Sequence, residues 1–343
     1  MLYLLRGLAA RGWPVLLATP PDGVLASRAG DLGGARIPVT ARGDLDLRAA
    51  RRLRASLGDA DILHLHTGRA HALGLLAAWG RRPRPRLVVS RRVDFPIHGG
   101  AAGRLKYRHG VDRFIAVSEA VRRVLLEGGV SEDRVVTVHS GIDPERMRVP
   151  PDPAGLRREL SVPQGTKLLG FIGALVGHKA PEHLVAALAR LPEGVHGVFA
   201  GEGALEADLR RRVRSLNLEP RVHFLGVRED VPRLMRSIDV FVLPSRTEGL
   251  GTSVLDAMAA GTPVVATRAG GIPEMVEDAV SGLLVPPDDP EALAGALCRV
   301  LNDAALRAGL IRGAAGRLGE FTADRMVEGT LAVYHSVLSR APG

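Results

Sequence analysis

The chain has 343 residues, 46% of them hydrophobic, with 41 glycines and one cysteine. That length is enough for two domains. The lone Cys298 excludes an internal disulfide and fits a reducing compartment, and no apolar run reaches the roughly 18–20 residues that span a bilayer. Met1–Thr19 contains charges and a proline and does not read as a secretory signal. The net charge of +9 is uneven: residues 1–143 carry 23 Lys and Arg against 13 Asp and Glu, and the remainder carries 23 against 24. A basic half implies an anionic partner such as phospholipid, a lipid-linked phosphate or nucleic acid. Aromatic residues make up only 3% of the chain and no nucleic-acid motif is present, which argues against the last of these.

In chain order, Leu2–Ala10 reads as the end of an amphipathic helix. It is followed by strands at Val15–Thr19 and Ala35–Val39 and a basic helix at Leu47–Leu57. Ile62–Leu65 (strand), Ala70–Trp79 (helix), Leu87–Ser90 (strand), a short helix at Leu105–His109 and Phe114–Val117 (strand) continue the rhythm. Ser118 caps a helix through Leu126, and Val135–Val138 is a strand. Alternation at this spacing predicts an α/β fold with a doubly wound parallel sheet. Such a sheet opens on a strand and a Gly-rich turn, whereas this chain opens inside a helix. The first strand and its turn are therefore expected to be missing, as from a reading frame opened too late. DLD, Asp44–Asp46, imitates a metal-binding acid pair but precedes a basic helix and reads as a helix start. In HLHT, His64 and His66 face one side of a strand without a third ligand cluster to make a metal site. In SRRVDFPIHGG, Ser90–Gly100, Arg91 reads as solvated, and Arg92 is a cation suited to phosphate.

Ser140–Pro153 carries four prolines and a glycine and reads as a linker, with the boundary near Pro150. The rhythm then repeats. Strands are expected at Lys167–Ile172, Gly197–Ala200 and Val222–Leu225, with helices at Pro181–Ala189, Leu205–Leu216 and Val231–Ser237. At Asp239–Thr267, DVFVLPSRTEGLGTSVLDAMAAGTPVVAT parses as strand, loop, helix, strand. Thr252 or Ser253 is placed to cap the helix. A loop that leaves the carboxyl end of a parallel strand and opens a helix aims free N–H groups at one spot, which suits a phosphate. Gly249 and Gly251 allow close approach. Glu248 repels phosphate but accepts hydrogen bonds from hydroxyls, so a sugar is the matching ligand. Asp256, about two helical turns further on, suits a ribose. A helix near Pro273–Val276, a strand near Leu283–Val285, a helix opened by Asp289-Pro290 and a helical region from Ala304 to Leu338 complete the chain.

Glu248 and Asp256 stand in an E-x7-D pattern that resembles the E-x7-E signature of the retaining glycosyltransferases of family 4, which have the GT-B fold. GALVGHK (Gly173–Lys179), AGEG (Ala200–Gly203), FLGVREDVP (Phe224–Pro232), GGIPEMV (Gly270–Val276) and GLLVPPDDPEAL (Gly282–Leu293) resemble the family in the same order. HSGIDPERM is similar to its hinge segment. The resemblance implies two Rossmann-like domains facing a cleft. These are an acceptor domain at 1–150, with a C-terminal helix at about 320–343 packing back on it, and a nucleotide-sugar domain at 151–319. It also implies donor-binding roles for Gly173, Lys179, Val227, Arg228, Glu248, Gly249, Leu250, Gly251, Thr252 and Asp256. Lys179 would neutralise the leaving diphosphate, and Arg228 or His178 is a candidate to replace the family's second cation, whose position is Ala174 here. His66 and Arg92 would line the acceptor site. Arg92 stands near the place where many members carry a His beside the donor sugar, and His98 is placed to take that role from a different position. Lys179, Glu248, Arg92 and His98 form the expected catalytic set.

The implied activity is transfer of a sugar from a UDP- or GDP-sugar to an acceptor hydroxyl, retaining configuration, without metal or cofactor. The basic half favours a lipid-linked or envelope glycan acceptor, a cytoplasmic location at the inner face of the membrane, and no nucleic-acid partner. Three other readings stay open: a GT-B-fold sugar epimerase, a nucleotide-binding but inactive truncated homologue, and a basic nucleic-acid binder.

Overall fold

In the computed structural model, which describes residues 1–29, 35–97 and 105–339, the chain divides into two units. Unit 1 comprises Met1–Gly141 and Ala323–Gly343, and unit 2 comprises Ile142–Thr322. The division falls at Gly141, so the proline-rich stretch at 150–153 lies inside unit 2.

Unit 2 is a six-stranded, wholly parallel sheet. Its strands are β7 (Lys167–Ile172), β8 (Val195–Ala200), β9 (Val222–Gly226), β10 (Val240–Leu243), β11 (Val264–Thr267) and β12 (Leu283–Val285). They run in the order β12-β11-β10-β7-β8-β9. The strands are continuous apolar runs because helices cover both faces of a doubly wound sheet. Val240, Phe241, Val242 and Leu243 are all fully buried. The chain order reverses between β7 and β10, and ligands of open α/β sheets bind outside the carboxyl ends of the strands at such a switch point.

Unit 1 carries its parallel strands in two sheets. β1 (Leu16–Thr19) pairs β2 (Ala35–Pro38), and β3 (Ile62–Leu65), β4 (Arg86–Arg91), β5 (Arg113–Ala116) and β6 (Val135–Thr137) pair in that order. Among the described residues no strand joins β1 to β3. Leu16 of β1 is exposed by 44%. A five-residue helix at Val24–Arg28 was not expected, being too short to show a helical period.

The last helix, α14 (Ala323–Leu338), belongs to unit 1. Its apolar face, Met326, Val327, Val333, Tyr334 and Val337, packs with Leu4 and Leu8 of α1 (Leu2–Ala10) and with Val88, Ile115 and Val138 of the strand region. Burying side chains of this kind is worth about 1.5–3 kcal/mol each. A break at 318–322 separates α14 from α13 (Ala304–Arg317).

Local chemistry fixes many of the ends. Ser118 accepts from Val121 N, Asp46 from Ala49 N and Asp289 from Ala292 N, each satisfying an orphan donor of a first turn. Asp46, second acid of the DLD triplet, is therefore a cap.

Candidate functional site

Two loops meet at the switch point of unit 2. One leaves β7 at Gly173 and returns through a 3-10 turn, Gly177–Lys179, into α7 (Pro181–Leu188). The other leaves β10 at Pro244 and opens α10 (Thr252–Ala260). Because β7 and β10 are adjacent, side chains 69 residues apart meet: Lys179 Nζ donates to Glu248 Oε2 at 2.7 Å. Both are largely covered, with side-chain exposures of 17% and 13%. Ser245 Oγ donates to the same oxygen at 3.3 Å, and the Glu248 carbonyl accepts from Gly271 N, which draws the GGIPEMV segment to the loop.

The helix that follows is capped differently from the expectation. Neither Thr252 nor Ser253 is the cap. The N-cap is Gly251, in the left-handed region at φ 89°, and no side chain closes the helix start. A glycine there costs little strain, and no side chain makes a cap hydrogen bond to the first N–H groups of the helix. Gly201 has a related function. It sits at φ 137°, and a Cβ on it would lie 2.0 Å from Gly173 O, so the AGEG loop lies directly against the Gly173 backbone.

The other expected donor residues are distributed as follows. Gly173 packs against the Lys179 stem. Leu250 is 3% exposed, which leaves only its backbone for a ligand. Val227, after β9, is 66% exposed. Arg228 is not a spare cation. Its Nε donates to Asp230 Oδ1 at 2.7 Å and its Nη1 to Glu159, and these two carboxylates hold its pKa above the ordinary guanidinium range. Lys179 therefore faces the switch point without help from Arg228, and Ala174 adds no charge.

Asp256 is buried, and Arg146 Nη2 donates to its Oδ2 at 2.5 Å. Oδ1 is buried with no hydrogen-bond partner. Burial raises the Asp256 pKa, and Arg146 opposes the rise without cancelling it. Arg146 lies in the Pro144–Met147 turn at the start of unit 2. It and Ser245 were missed in the sequence. A cation in HSGIDPERM and a hydroxyl three residues before Glu248 were the available signals.

In unit 1, His64 bridges Tyr334 Oη through Nδ1 at 2.7 Å and Ser90 Oγ through Nε2 at 2.8 Å. Burial, with a smaller contribution from the Arg92 charge, lowers its pKa to about 3. His66 packs against His64 with ring centroids 3.9 Å apart and ring planes tilted by 36°. Its Nδ1 is buried without a partner, and burial holds it neutral, well below the usual histidine range. Arg92 donates to Ser140 Oγ at 3.1 Å, and among the described residues no carboxylate pairs with it. Arg91, expected to be solvated, is buried and donates to Tyr107 Oη at 2.7 Å. His98 lies outside the described residues. Among the described residues no cluster of three or more His, Cys, Asp or Glu is placed to hold a metal, and no helix is long and apolar enough to cross a membrane.

Comparison with known proteins bears on the whole chain. Residues 1–146 match the family model described as Glycosyltransferase Family 4, and residues 166–303 the one described as Glycosyl transferases group 1. A D-inositol 3-phosphate glycosyltransferase of Frankia alni is 32% identical over 310 residues, covering 82% of this chain and 75% of the relative. A D-inositol 3-phosphate glycosyltransferase of Saccharomonospora viridis is 37% identical over 225 residues, covering 62% of this chain; the match spans about half, 52%, of that relative's length. Among solved structures, Anabaena Alr3699/HepE in complex with UDP-glucose superposes with a TM-score of 0.88 at 23% identity, covering 98% of this chain and 95% of that one. At that identity the likeness is one of fold.

Proposed function

The chain belongs to the family 4 glycosyltransferases, the glycosyl transferases group 1, and on that premise we propose that it moves a sugar from a UDP- or GDP-sugar to an acceptor hydroxyl with retention of configuration. One observation carries the reading: the Lys179–Glu248 pair stands at the topological switch point beside a helix start that no side chain closes. A nucleoside diphosphate brings two needs to that spot. Its phosphates need donors and positive charge, and the first N–H groups of α10 and Lys179 supply them. Its sugar needs hydroxyl acceptors, and Glu248 supplies them.

In the resting chain Lys179 is neutralised by Glu248. A diphosphate competes for Lys179, and the carboxylate released from that contact turns to the sugar hydroxyls. As the glycosidic bond breaks, charge grows on the diphosphate oxygens, and the fixed N–H groups and Lys179 stabilise that growth. Asp256 is the ribose-side acid. It is shorter by one methylene than the family's Glu, and its free Oδ1 is the atom available to a ribose hydroxyl once the helix start yields. The resemblance leaves the base open, and the UDP complexes of the Anabaena protein make uridine the first base to try.

The acceptor half of the proposal rests on unit 1. Arg92, lacking a carboxylate partner among the described residues, with neutral His66 nearby, suits an acceptor that carries an anionic group. The relatives named for an inositol phosphate support a phosphate-bearing acceptor; the basic charge of residues 1–143 is what favours a lipid-linked or envelope glycan met at the inner face of a membrane.

Isothermal titration with UDP, GDP and ADP at fixed salt tests the donor half. Saturable binding of one nucleotide, weakened by Lys179→Ala, is the expected result. A folded sample that binds none of the three defeats the reading.

A further inference from the structure

Arg246 lies two residues before Glu248 and its guanidinium is committed in four directions, none of them towards the switch point. Nη1 donates to Gly177 O at 2.9 Å and to Glu182 Oε1 at 2.6 Å, and Nε donates to Asp288 Oδ1 at 2.7 Å. Nη2 donates to His183 Nε2 at 3.1 Å. Its backbone N–H donates to His178 O at 2.8 Å. One residue of the Glu248 loop therefore holds Gly177 and His178 of the turn, along with the helix after it and the loop after β12.

That turn needs holding. Ala180, the residue after Lys179, has φ 46° and ψ 48°, a left-handed conformation that costs a residue with a Cβ roughly 1–2 kcal/mol. No side chain caps α7 at Ala180. The turn carrying Lys179 is thus strained, and Arg246 supplies fixed donors to the Gly177 carbonyl at its start and to Glu182 and His183 in the first turn of the helix at its end. A planar guanidinium provides this fork of donors, which an ammonium cannot.

We propose that Arg246 is a positioning residue for the donor diphosphate: it fixes the turn so that Lys179 Nζ stands at the phosphate position, without touching the donor itself. The inference rests on the donor-site reading above and adds to it the residue that sets where the cation stands. Misplacing a charge by about 1 Å costs up to about a hundredfold, so losing the fork weakens the diphosphate contact although Lys179 is still present.

The test is a double-mutant cycle read by UDP titration. Wild type, Lys179→Ala, Arg246→Ala and the double variant are compared at one salt concentration, with circular dichroism and thermal melting on each. Arg246→Ala is expected to weaken UDP binding about tenfold, to leave the fold intact, and to add no further loss in the Lys179→Ala background. Arg246→Lys, which restores the charge but not the fork, is expected to recover less than half of the binding free energy lost. Should Arg246→Ala not fold, Arg246→Lys takes its place in the cycle under the same criteria. UDP affinity within twofold of wild type, or an equal loss with and without Lys179, overturns the positioning role. If wild type binds no nucleotide, or Lys179→Ala binds UDP as wild type does, it is the donor-site reading that falls, and the positioning role with it.

Discussion

Arg146 reaches Asp256 across 110 positions of chain, Nη2 to Oδ2 at 2.5 Å, while the other oxygen of the same carboxylate is buried against no partner. The acid is therefore half satisfied, and its raised pKa records that burial outweighs the guanidinium. Arg146→Met leaves the charge with neither partner. The expected cost is about 1–3 kcal/mol at pH 7. The sign with pH follows from the direction of the shift. An acid whose folded pKa lies above its unfolded value binds its proton more tightly when folded, so the penalty shrinks as pH falls. Thermal melts of variant and wild type at pH 7 and pH 5 should give a smaller difference at pH 5. A difference that stays constant or grows would show that Asp256 is not the source.

Lys179 and Glu248 should separate when each is removed alone. Lys179→Ala removes a charge-assisted contact worth about 1.5–3 kcal/mol, a loss of about 10- to 150-fold in UDP affinity. Glu248→Ala removes a negative charge from the phosphate site and releases Lys179, so UDP binds at least as tightly while sugar transfer is lost. Parallel titrations with UDP and turnover of UDP-sugar read the two effects. A Glu248→Ala variant that loses UDP affinity as severely as Lys179→Ala contradicts the division of labour.

Arg228 provides the matching control. It is held by Glu159 and Asp230, and the expectation is that these pairs keep it from the diphosphate. Arg228→Met is expected to lower stability by about 1 kcal/mol and to leave UDP affinity within about twofold. A loss of tenfold or more would return it to the donor site.

Unit 1 should weaken in acid through His64. Its folded pKa is about 3, against an unfolded value of about 6.5, so below pH 6.5 the unfolded chain takes up a proton that the folded one refuses. Stability therefore falls as pH drops from about 6.5, by up to about 1.4 kcal/mol for each pH unit. Both tryptophans, Trp13 and Trp79, lie in unit 1, so urea unfolding followed by their fluorescence reports on this unit. His64→Gln, which keeps a donor and an acceptor for Tyr334 and Ser90, should lower the slope between pH 6.5 and 5 by up to about 1.4 kcal/mol per pH unit, the rest coming from His66 and His71, whose pKa values burial also depresses. An unchanged slope would assign it elsewhere.

The helix Leu47–Ser56 presents Arg48, Arg51 and Arg52 to solvent, and Trp79, at the end of the helix packed beside it, is 78% exposed. Co-sedimentation with anionic vesicles and none with neutral ones is the expected outcome. Arg51→Ser with Arg52→Ser should weaken it about 30-fold, at about 1 kcal/mol for each basic residue. Equal binding to both vesicle types counts against an electrostatic membrane contact.

What was legible in the sequence was what chemistry decides locally. Apolar β-branched runs marked the strands, and Ser118 and Asp289 marked helix starts, because a cap needs only its own first turn. The strand, loop and helix around Glu248 were legible for the same reason. The partner of Glu248 was not, since Lys179 meets it only because β7 lies beside β10, a matter of strand order. The partner of Arg228 was hidden for a similar reason: Glu159, 69 positions away, meets it only in space. Gly251 took the cap expected of Thr252 or Ser253 because the left-handed φ that starts this helix favours a residue without a Cβ.

The two sheets of unit 1 leave β1 and β3 each with one edge unpaired by any strand among the described residues. A bare strand edge is a row of donors and acceptors ready to accept a strand from another molecule. Exposed Leu16 on β1 adds stickiness, while the four-residue length of each strand limits how long such a ladder can grow. The behaviour that follows is concentration-dependent self-association of the purified chain through unit 1, which a lysine at Leu16 would suppress.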